Sequence, residues 1–402
     1  MSIITDATEW ADRWWDEERG LLWNPPGSFD DHGMAPRSMH MVPQSAWYAV
    51  GCLVRGMESR AARIVEELCA LQYDEPGAIW HGTFARFAEW PHPSTHSRDV
   101  IEWFDYDPNW RQFIGTTFRL MELRFGLDLA APIALAVEGE PSDRVSPRYS
   151  NIALMKAWVE GDEADAAQVV SHFDEHGAFE EYNSPTYYGI DLYALRLWSQ
   201  HPPTPAFAAW GARIEAALWR DVQRWYHPGL RNLCGPFSRA YGMDMSAYVA
   251  LLGLWLPSPV VPALGAPFEH SHDLTMAPVV DLLGGGPSSL AYEDGLVSQR
   301  ITDDRVASGW LGEDVMMGGE EGGRWRAEGQ YHPATVHWRQ ADGSTGWLRV
   351  RSPQRLDAMV FEPGVLEVTG TDLHVDLAPD STFPGRIEHT EEGLKISGYA
   401  AG

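Results

Sequence analysis

The sequence predicts a multidomain α+β protein in which a helical region is followed by a region of antiparallel strands. In this chain of 402 residues, apolar residues recur at helical spacing up to about Pro257. Beyond roughly Pro262, apolar and polar residues alternate in short runs separated by glycines, which is typical of strands. We therefore expect two domains, residues 1–257 and residues 258–402.

The individual elements follow from the same periodicities. Apolar residues that return every three or four positions predict helices over 46–57, 59–72, 110–125, 149–160, 163–174, 187–199, 206–225 and 243–256. Alternating runs predict strands over 335–338, 346–350 and 373–377, and Asp342-Gly343 is typical of a hairpin turn. Four prolines within residues 257–267 indicate a linker between the two regions.

Successive helices alternate between two kinds, which favours a toroid of helical hairpins. One kind follows a loop rich in aromatic and hydrogen-bonding residues, whereas the other is amphipathic and highly charged. In a toroid the first kind forms an inner ring of helices that run the same way, so the loops before them converge at one mouth. The loop residues expected there are His40, Trp80, His81, 107–111, 148–151, 182–188 and 239–244.

The loop before residue 187 is the richest in groups that could carry chemistry. Asn183 and Ser184 are good N-cap residues and Pro185 suits a first helical turn, so one interpretation is simply a well-formed helix start. Tyr187 and Tyr188, however, are more polar than an inner helix needs. The positive end of the helix dipole favours a phenolate, the form in which a tyrosine acts as a base.

Further candidates lie in the other loops. Arg148 could hold a carboxylate through two hydrogen bonds, although pairing with one of the surplus acids fits equally well. Arg239, Tyr241 and Asp244 lie within a few residues of one another. His81 could act as an acid or base near neutral pH, or serve only as a hydrogen-bonding loop residue.

Composition and charge exclude several classes of protein. The 30 basic and 57 acidic side chains give a formal net charge of -27, which disfavours binding to nucleic acid or to acidic membrane surfaces. Residues 1–20 lack an apolar signal segment, and no run of about 18 apolar residues occurs, so we expect a cytoplasmic protein without a membrane span. The 19 Trp, 14 Tyr and 14 Phe residues supply flat faces for sugar rings or other side chains.

The sequence also lacks the common cofactor and metal motifs. It has no Gly-x-Gly-x-x-Gly after a strand, no Walker loop, no Gly-x-Ser-x-Gly elbow and no His-Glu-x-x-His pair, so we expect no nucleotide cofactor. Cys52, Cys69 and Cys234 are too few and too scattered for a disulfide framework or a zinc site. Unless a bulge intervenes, His332 and His337 would lie on opposite faces of a strand, so we expect no metal shared between them.

Two motifs resemble a known group of enzymes. Arg148-Tyr149-Ser150, one hairpin before Asn183-Ser184-Pro185-Thr186-Tyr187, resembles the alginate-lyase-like and heparinase II/III-like polysaccharide lyases. The order of helical hairpins and a C-terminal β domain is similar to theirs over nearly the whole chain. The resemblance implies an N-terminal incomplete (α/α) toroid followed by a C-terminal antiparallel β-sandwich-like domain, and cleavage of uronate-containing glycans by β-elimination.

The resemblance also implies roles for individual residues. In these lyases an Asn, Arg or His neutralises the uronate carboxylate, a Tyr or His removes the C5 proton and a Tyr protonates the leaving oxygen. Tyr187 falls where the catalytic tyrosine begins its helix. The Asn-His dipeptide that these lyases carry near the position of Tyr149 is missing here, so His81, Tyr188 or Tyr241 would be the base.

Together these considerations give two sets of candidate residues for an oligosaccharide substrate. The catalytic candidates are His81, Asn183, Tyr187, Tyr188 and Tyr241. The substrate-binding candidates are His40, Trp80, Trp110, Arg111, Arg148, Tyr149, Asn151, Arg239 and Asp244. The β domain could complete the cleft or form the interface of a homo-oligomer, and the sequence is compatible with both.

Two other functions are compatible with the same residues. A glycoside hydrolase on the same toroid would use a pair of carboxylates drawn from Asp107, Glu180, Glu181, Asp191 and Asp244. A carbohydrate-binding protein would use the aromatic cleft without any chemistry. The products formed from uronate oligosaccharides distinguish these functions from a lyase.

Overall fold

The computed structural model describes residues 3–24, 39–261, 271–323 and 329–398. Within these residues, α-helices dominate up to Leu282, and antiparallel strands make up the regular structure from Gly295 onward. This confirms the predicted α+β class and the order of its helical and strand regions. Of the predicted linker, residues 262–267 lie outside the described ranges.

Contacts between Cα atoms divide the chain into two compact units, each assembled from separate stretches of sequence. The first unit consists of Met1–Gln168, Tyr193–Ala212 and Val261–Gly285. The second consists of Val169–Leu192, Arg213–Val260 and Gly286–Gly402. The domains 1–257 and 258–402, a division along the sequence, stay a prediction.

The helices mostly lie where periodicity places them. They are α1 Ile3–Asp12, α2 Val42–Val54, α3 Glu58–Ala70, α4 Trp110–Phe125, α5 Ala130–Glu138, α6 Ser150–Glu160, α7 Glu163–His176, α8 Tyr187–Gln200, α9 Pro205–Trp225, α10 Leu252–Trp255 and α11 Ser271–Leu282. The predicted change to strands at about Pro262 is too early, because α11 follows it.

The predicted helix over 243–256 is wrong, since only the four residues of α10 are helical there. Asp244 accepts hydrogen bonds from the backbone N–H of Ser246 (2.9 Å) and from its hydroxyl (2.8 Å). Such local bonds between side chain and backbone compete with the first turn of a helix. The segment between Tyr241 and Leu251 is irregular as a result.

The two kinds of helix differ in burial. Nearly every residue of α2, α4, α6 and α8 is buried or half-buried, whereas α3, α7 and α9 each expose a charged or polar face. The short α5 exposes three alanines and Glu138. Within the first unit, α2 packs against α3, α4 and α11, and α4 packs against α5 and α6. The apolar helices therefore supply the core of this unit. Among the described residues, no helix is both long enough and apolar enough to cross a membrane.

Two antiparallel sheets form the C-terminal part of the second unit. Their strands are β6 Gly295–Thr302, β7 Arg305–Leu311, β8 Val315–Glu321, β9 Ala334–Arg339, β10 Thr345–Arg351, β11 Leu356–Glu362, β12 Val365–Gly370, β13 His374–Leu377, β14 Arg386–His389 and β15 Gly393–Ser397. The earlier strands, β1 Trp15–Asp16, β2 Leu21–Trp23, β3 His40–Met41, β4 Tyr226–His227 and β5 Asn232–Leu233, are two or three residues long.

One sheet has the strand order β13-β10-β9-β8-β7-β6 and the other β11-β12-β15-β14. Residues from both, including Val336 and Trp338 in the first sheet and Leu366 and Ile396 in the second, share one hydrophobic core. The predicted strands over 335–338, 346–350 and 373–377 are confirmed as β9, β10 and β13. Gly343, with φ +85°, forms the expected turn between β9 and β10.

Candidate active site

The turn before α8 is fixed by the side chains of Asn183 and Ser184. The Ser184 hydroxyl accepts a hydrogen bond from the N–H of Tyr187 (3.0 Å) and so acts as the predicted cap. The same hydroxyl donates to the carbonyl of Arg239 (2.5 Å). Asn183 adopts a left-handed backbone conformation (φ 51°), and its amide donates to the carbonyls of Cys234 (2.7 Å) and Pro236 (2.8 Å). These bonds tie the start of α8 to the segment 234–239.

Tyr187 and Tyr241 form a hydrogen-bonded pair, which we call the tyrosine pair. Their hydroxyl oxygens are 2.6 Å apart. Tyr187, in the first turn of α8, is 7% exposed, and Tyr241 is half-buried in the loop that follows Arg239. Because each phenol can donate or accept, a proton can pass along this bond. An ionised tyrosine in the pair would keep a hydrogen bond from its partner.

Arg239 lies against the tyrosine pair. Its guanidinium carbon is 4.1 Å from the centre of the Tyr187 ring, within the range of a cation–π contact. Nη1 is 2.6 Å from Oε1 of the buried Glu181, and Nε donates to Oε1 of Gln330 at 2.9 Å. These two partners hold the guanidinium in place against the Tyr187 ring.

Tyr188, the alternative base, has a different environment. Its ring is 1% exposed and packs edge-on against Tyr182 at a centroid distance of 6.3 Å. Burial raises the pKa of Tyr188 well above 10, and the charge of Asp221 raises it further. Burial also raises the pKa of Asp221 to about 6. Tyr188 is therefore poorly suited to form a phenolate at neutral pH.

The segment 237–243 lies beside residues 330–332, which precede β9 in the chain. Phe237 and His332 exchange two backbone hydrogen bonds of 3.0 Å. The ring centroid of Phe237 is 6.5 Å from that of His332 and 6.0 Å from that of His337. The expectation that these two histidines lie on opposite faces of a strand is therefore wrong. His332 precedes the first residue of β9, so the strict alternation of side chains does not extend to it.

A buried ion pair lies in the same unit. Arg305 on β7 donates from Nε to Oε1 of Glu320 on β8 (2.9 Å), and both side chains are almost fully buried. Arg305 also donates to the Ser238 hydroxyl (2.8 Å) and to the carbonyl of Glu180 (3.1 Å). Tyr331 adds a hydrogen bond to Glu320. This network joins the sheet to the segment before Tyr187 and to the segment before Tyr241.

The remaining candidates lie in the first unit. Arg111 is 1% exposed and donates to the carbonyls of His81 and Ile79, so its guanidinium holds that loop. The ring of His81 is buried, and its Nδ1 accepts from the N–H of Glu75 (3.0 Å). Trp80 is half-buried and donates to the carboxylate of Glu75 (2.8 Å).

Tyr149 belongs to a polar chain in the same unit. Its hydroxyl accepts from Nδ2 of Asn109 (2.7 Å), whose Oδ1 accepts from Arg144 (3.1 Å). Arg148 is exposed, whereas Asn151 is fully buried in α6. Trp110 is 8% exposed at the start of α4.

His40 is enclosed by two carboxylates and an aromatic ring. Its Nδ1 is 2.6 Å from Glu89 Oε1, and its Nε2 is 3.2 Å from Asp16 Oδ2. The Trp23 ring lies at a centroid distance of 3.9 Å. These contacts account for the burial of a polar ring at this position.

The predicted site residues thus fall into two sets. Asn183, Tyr187, Tyr188, Arg239, Tyr241 and Asp244 lie in the second unit, and the other candidates lie in the first. A single mouth lined by both sets stays a prediction. Gln330 and Arg305 were missed, because their partners are distant in sequence and no local pattern marks them. Glu181 was considered only as a carboxylate of a hydrolase, and its pairing with Arg239 was not predicted. Within the described ranges, no cluster of three or more His, Cys, Asp or Glu side chains is arranged to hold a metal ion.

Comparison with protein families places the chain in one of them. A family model described as a domain of unknown function (DUF8769) matches residues 1–139 and 134–284. These two segments cover most of the chain, which therefore belongs to this family. No curated protein and no solved structure matches the chain. The tyrosine pair lies within the matched residues, and the two sheets lie beyond them.

Proposed function

We propose that this chain is a carbohydrate-active lyase that cleaves uronic-acid-containing oligosaccharides by β-elimination. The observation that carries the proposal is the tyrosine pair, with hydroxyls 2.6 Å apart and the Arg239 cation 4.1 Å from the Tyr187 ring. In the same proposal the helices form an incomplete (α/α) toroid and the two sheets a β-sandwich. The alternation of buried and amphipathic helices and the common core of the two sheets support this architecture.

The reaction needs three groups, and the site offers a candidate for each. The phenolate of one tyrosine takes the C5 proton of the uronate, the C4–O4 bond breaks, and a C4–C5 double bond forms. The other tyrosine gives its proton to the departing O4. Transfer of the C5 proton along the hydrogen bond of the pair then restores the starting state, so atoms and charge balance.

A positive group must neutralise the uronate carboxylate, because the C5 proton beside an ionised carboxylate is only weakly acidic. Arg239 is better suited to this role than Asn183, whose amide donates to two backbone carbonyls. The ion pair of Arg239 with Glu181 orients the Arg239 guanidinium. With a net charge of -27, the chain as a whole repels an anionic sugar, so a local arginine is required.

A hydrolase built on paired carboxylates fits the second unit less well. Glu181 is paired with Arg239, and Asp191 is fully buried within α8. A hydrolytic acid and base would need to face both a glycosidic oxygen and water. The lyase is therefore the function that these contacts favour.

The test is product analysis on a panel of oligouronates, namely oligomannuronate, oligoguluronate and oligogalacturonate. Elimination creates an unsaturated uronate that absorbs ultraviolet light, and we expect this signal to grow with wild-type protein. Tyr187→Phe and Tyr241→Phe should each lower the rate by ~10²-fold or more. Tyr292→Phe is the matched control, because its hydroxyl bonds only to the carbonyl of Gly312 in the described contacts.

Three results would contradict the proposal. New reducing ends without the absorbance would indicate hydrolysis. Binding without turnover would indicate a carbohydrate-binding protein. Full activity in both Phe variants would remove the tyrosine pair from the mechanism.

A further inference from the structure

The loop that carries Arg239 and Tyr241 has no regular secondary structure of its own. Residues 238–251 form bends and turns without a helix or a strand. An irregular segment holds a side chain to a fraction of an ångström only if other elements fix its backbone. The 2.6 Å contact of the tyrosine pair therefore depends on what holds residues 240–243.

Two buried histidines from the C-terminal sheet region bond to this loop on either side of Tyr241. Nε2 of His332 is 3.1 Å from the carbonyl oxygen of Ala240, the residue before Tyr241. Nε2 of His337 is 2.9 Å from the carbonyl oxygen of Met243, two residues after it. Both rings have no exposed surface.

The contacts define the chemical state of each ring. A carbonyl oxygen only accepts, so each Nε2 carries a hydrogen and donates it. Burial lowers the pKa of His332 to about 3 and the pKa of His337 to about 4, so both imidazoles are neutral at neutral pH. Nδ1 of His332 faces Nη1 of Arg349 at 3.4 Å, a donor that favours the same tautomer.

We propose that His332 and His337 are positioning residues that set the place of the Tyr241 hydroxyl. The inference rests on the proposed function of the tyrosine pair. It assigns to the sheet region, which lies beyond the residues matched by the family model, a part in the active site. Gln330 supports this assignment, since its carbonyl accepts from the N–H of Ala240 (2.8 Å) and its side chain accepts from Arg239.

The test compares substitutions that keep or withdraw one N–H. In His337→Gln the side-chain amide can place an N–H near the original Nε2, whereas in His337→Asn the shorter side chain cannot reach the Met243 carbonyl. His332→Gln and His332→Asn form the second pair. His227→Asn is the matched control, because His227 is also buried in the second unit and its Nε2 lies 2.7 Å from a carbonyl, that of Gly312.

Two readouts are used. The first is the NMR signal of Tyr241 in full-length protein labelled with carbon-13 at tyrosine Cζ, assigned by its loss in Tyr241→Phe. The second is turnover of the oligouronates. We expect both Asn variants to shift the Tyr241 signal and to lower turnover by ~10-fold to 10²-fold, as a displacement of about 1 Å would. The Gln variants should retain the wild-type signal and most of the rate.

The control separates positioning from stability. We expect His227→Asn to lower the melting temperature as much as the other Asn variants while leaving the Tyr241 signal in place. An unchanged Tyr241 signal in both His332→Asn and His337→Asn would overturn the inference, as would an equal shift in His227→Asn. If wild-type protein turns over no oligouronate, the proposed function fails, but the NMR comparison still decides whether the histidines position Tyr241.

Discussion

Acidification from pH 7 to pH 5 should destabilise the protein through His332 and His337. Burial lowers their pKa values from 6.5 to about 3 and about 4 in the folded protein. In the unfolded chain both rings take up protons over this range, while the folded protein excludes them. The free energy of unfolding therefore falls as the pH falls, with each histidine costing about 2 kcal/mol between pH 7 and pH 5.

One buried acid opposes this change. Asp221 has its pKa raised from 3.8 to about 6, so the folded protein takes up its proton first and gains about 1 kcal/mol over the same interval. Carboxylates with a lowered pKa, such as Asp376 at about 2, lose their contribution mainly below pH 4. For these three groups together the expected net loss is about 2–3 kcal/mol.

Urea denaturation followed by near-ultraviolet circular dichroism at pH 7 and pH 5 measures this loss. Replacing both histidines by glutamine removes these titrating groups. Between pH 7 and pH 5 the free energy of unfolding of the double variant should therefore stay nearly constant or rise, because Asp221 then dominates the pH dependence. Equal stability of the wild type at both pH values would refute the reasoning, and so would an unchanged pH dependence in the double variant.

Two further predictions concern charged groups in the second unit. Arg239→Gln should lower kcat/KM for an oligouronate by about 10²-fold. Arg239→Lys should retain only part of the wild-type kcat/KM, because an ammonium cannot reproduce the bonds to Glu181 and Gln330. Equal values in Arg239→Lys and wild type would contradict this prediction. Glu320→Gln leaves the buried Arg305 without its counter-charge and should lower the free energy of unfolding by about 3–5 kcal/mol, measured by urea denaturation. An unchanged urea midpoint would mean that the ion pair does not stabilise the fold.

Elements with a clear period were predictable from sequence. The α4 helix and the strands β9 and β10 lie where the apolar residues place them, because each buries one face or is buried throughout. The strand β13 also lies where it was predicted, although its apolar residues Val375 and Leu377 are exposed. The predicted helix over 243–256 failed, because Asp244 forms a local turn with Ser246. Close packing at Gly253, where a Cβ atom would lie 1.9 Å from the carbonyl oxygen of Val260, also falls outside any periodic pattern.

The candidate site shows the same limit. The capping role of Ser184 and the position of Tyr187 at the start of α8 follow from local sequence. The partners of Arg239 do not, because Glu181 is 58 residues away and Gln330 is 91 residues away along the chain. Composition likewise gave no sign that Arg111 is buried against backbone carbonyls rather than exposed to a ligand.

The second unit also has a consequence for the order in which the protein is made. Residues 169–192 and 213–260, which contain the tyrosine pair, cluster with residues 286–402. A ribosome that adds about 5–20 residues per second needs roughly 7–30 s to proceed from residue 260 to the last strands. During that interval these segments have been synthesised but the sheets that they pack with have not. Their aromatic and apolar side chains are then exposed, so they can bind chaperones or aggregate. The unit can be completed only after its last strand, Gly393–Ser397, has been synthesised.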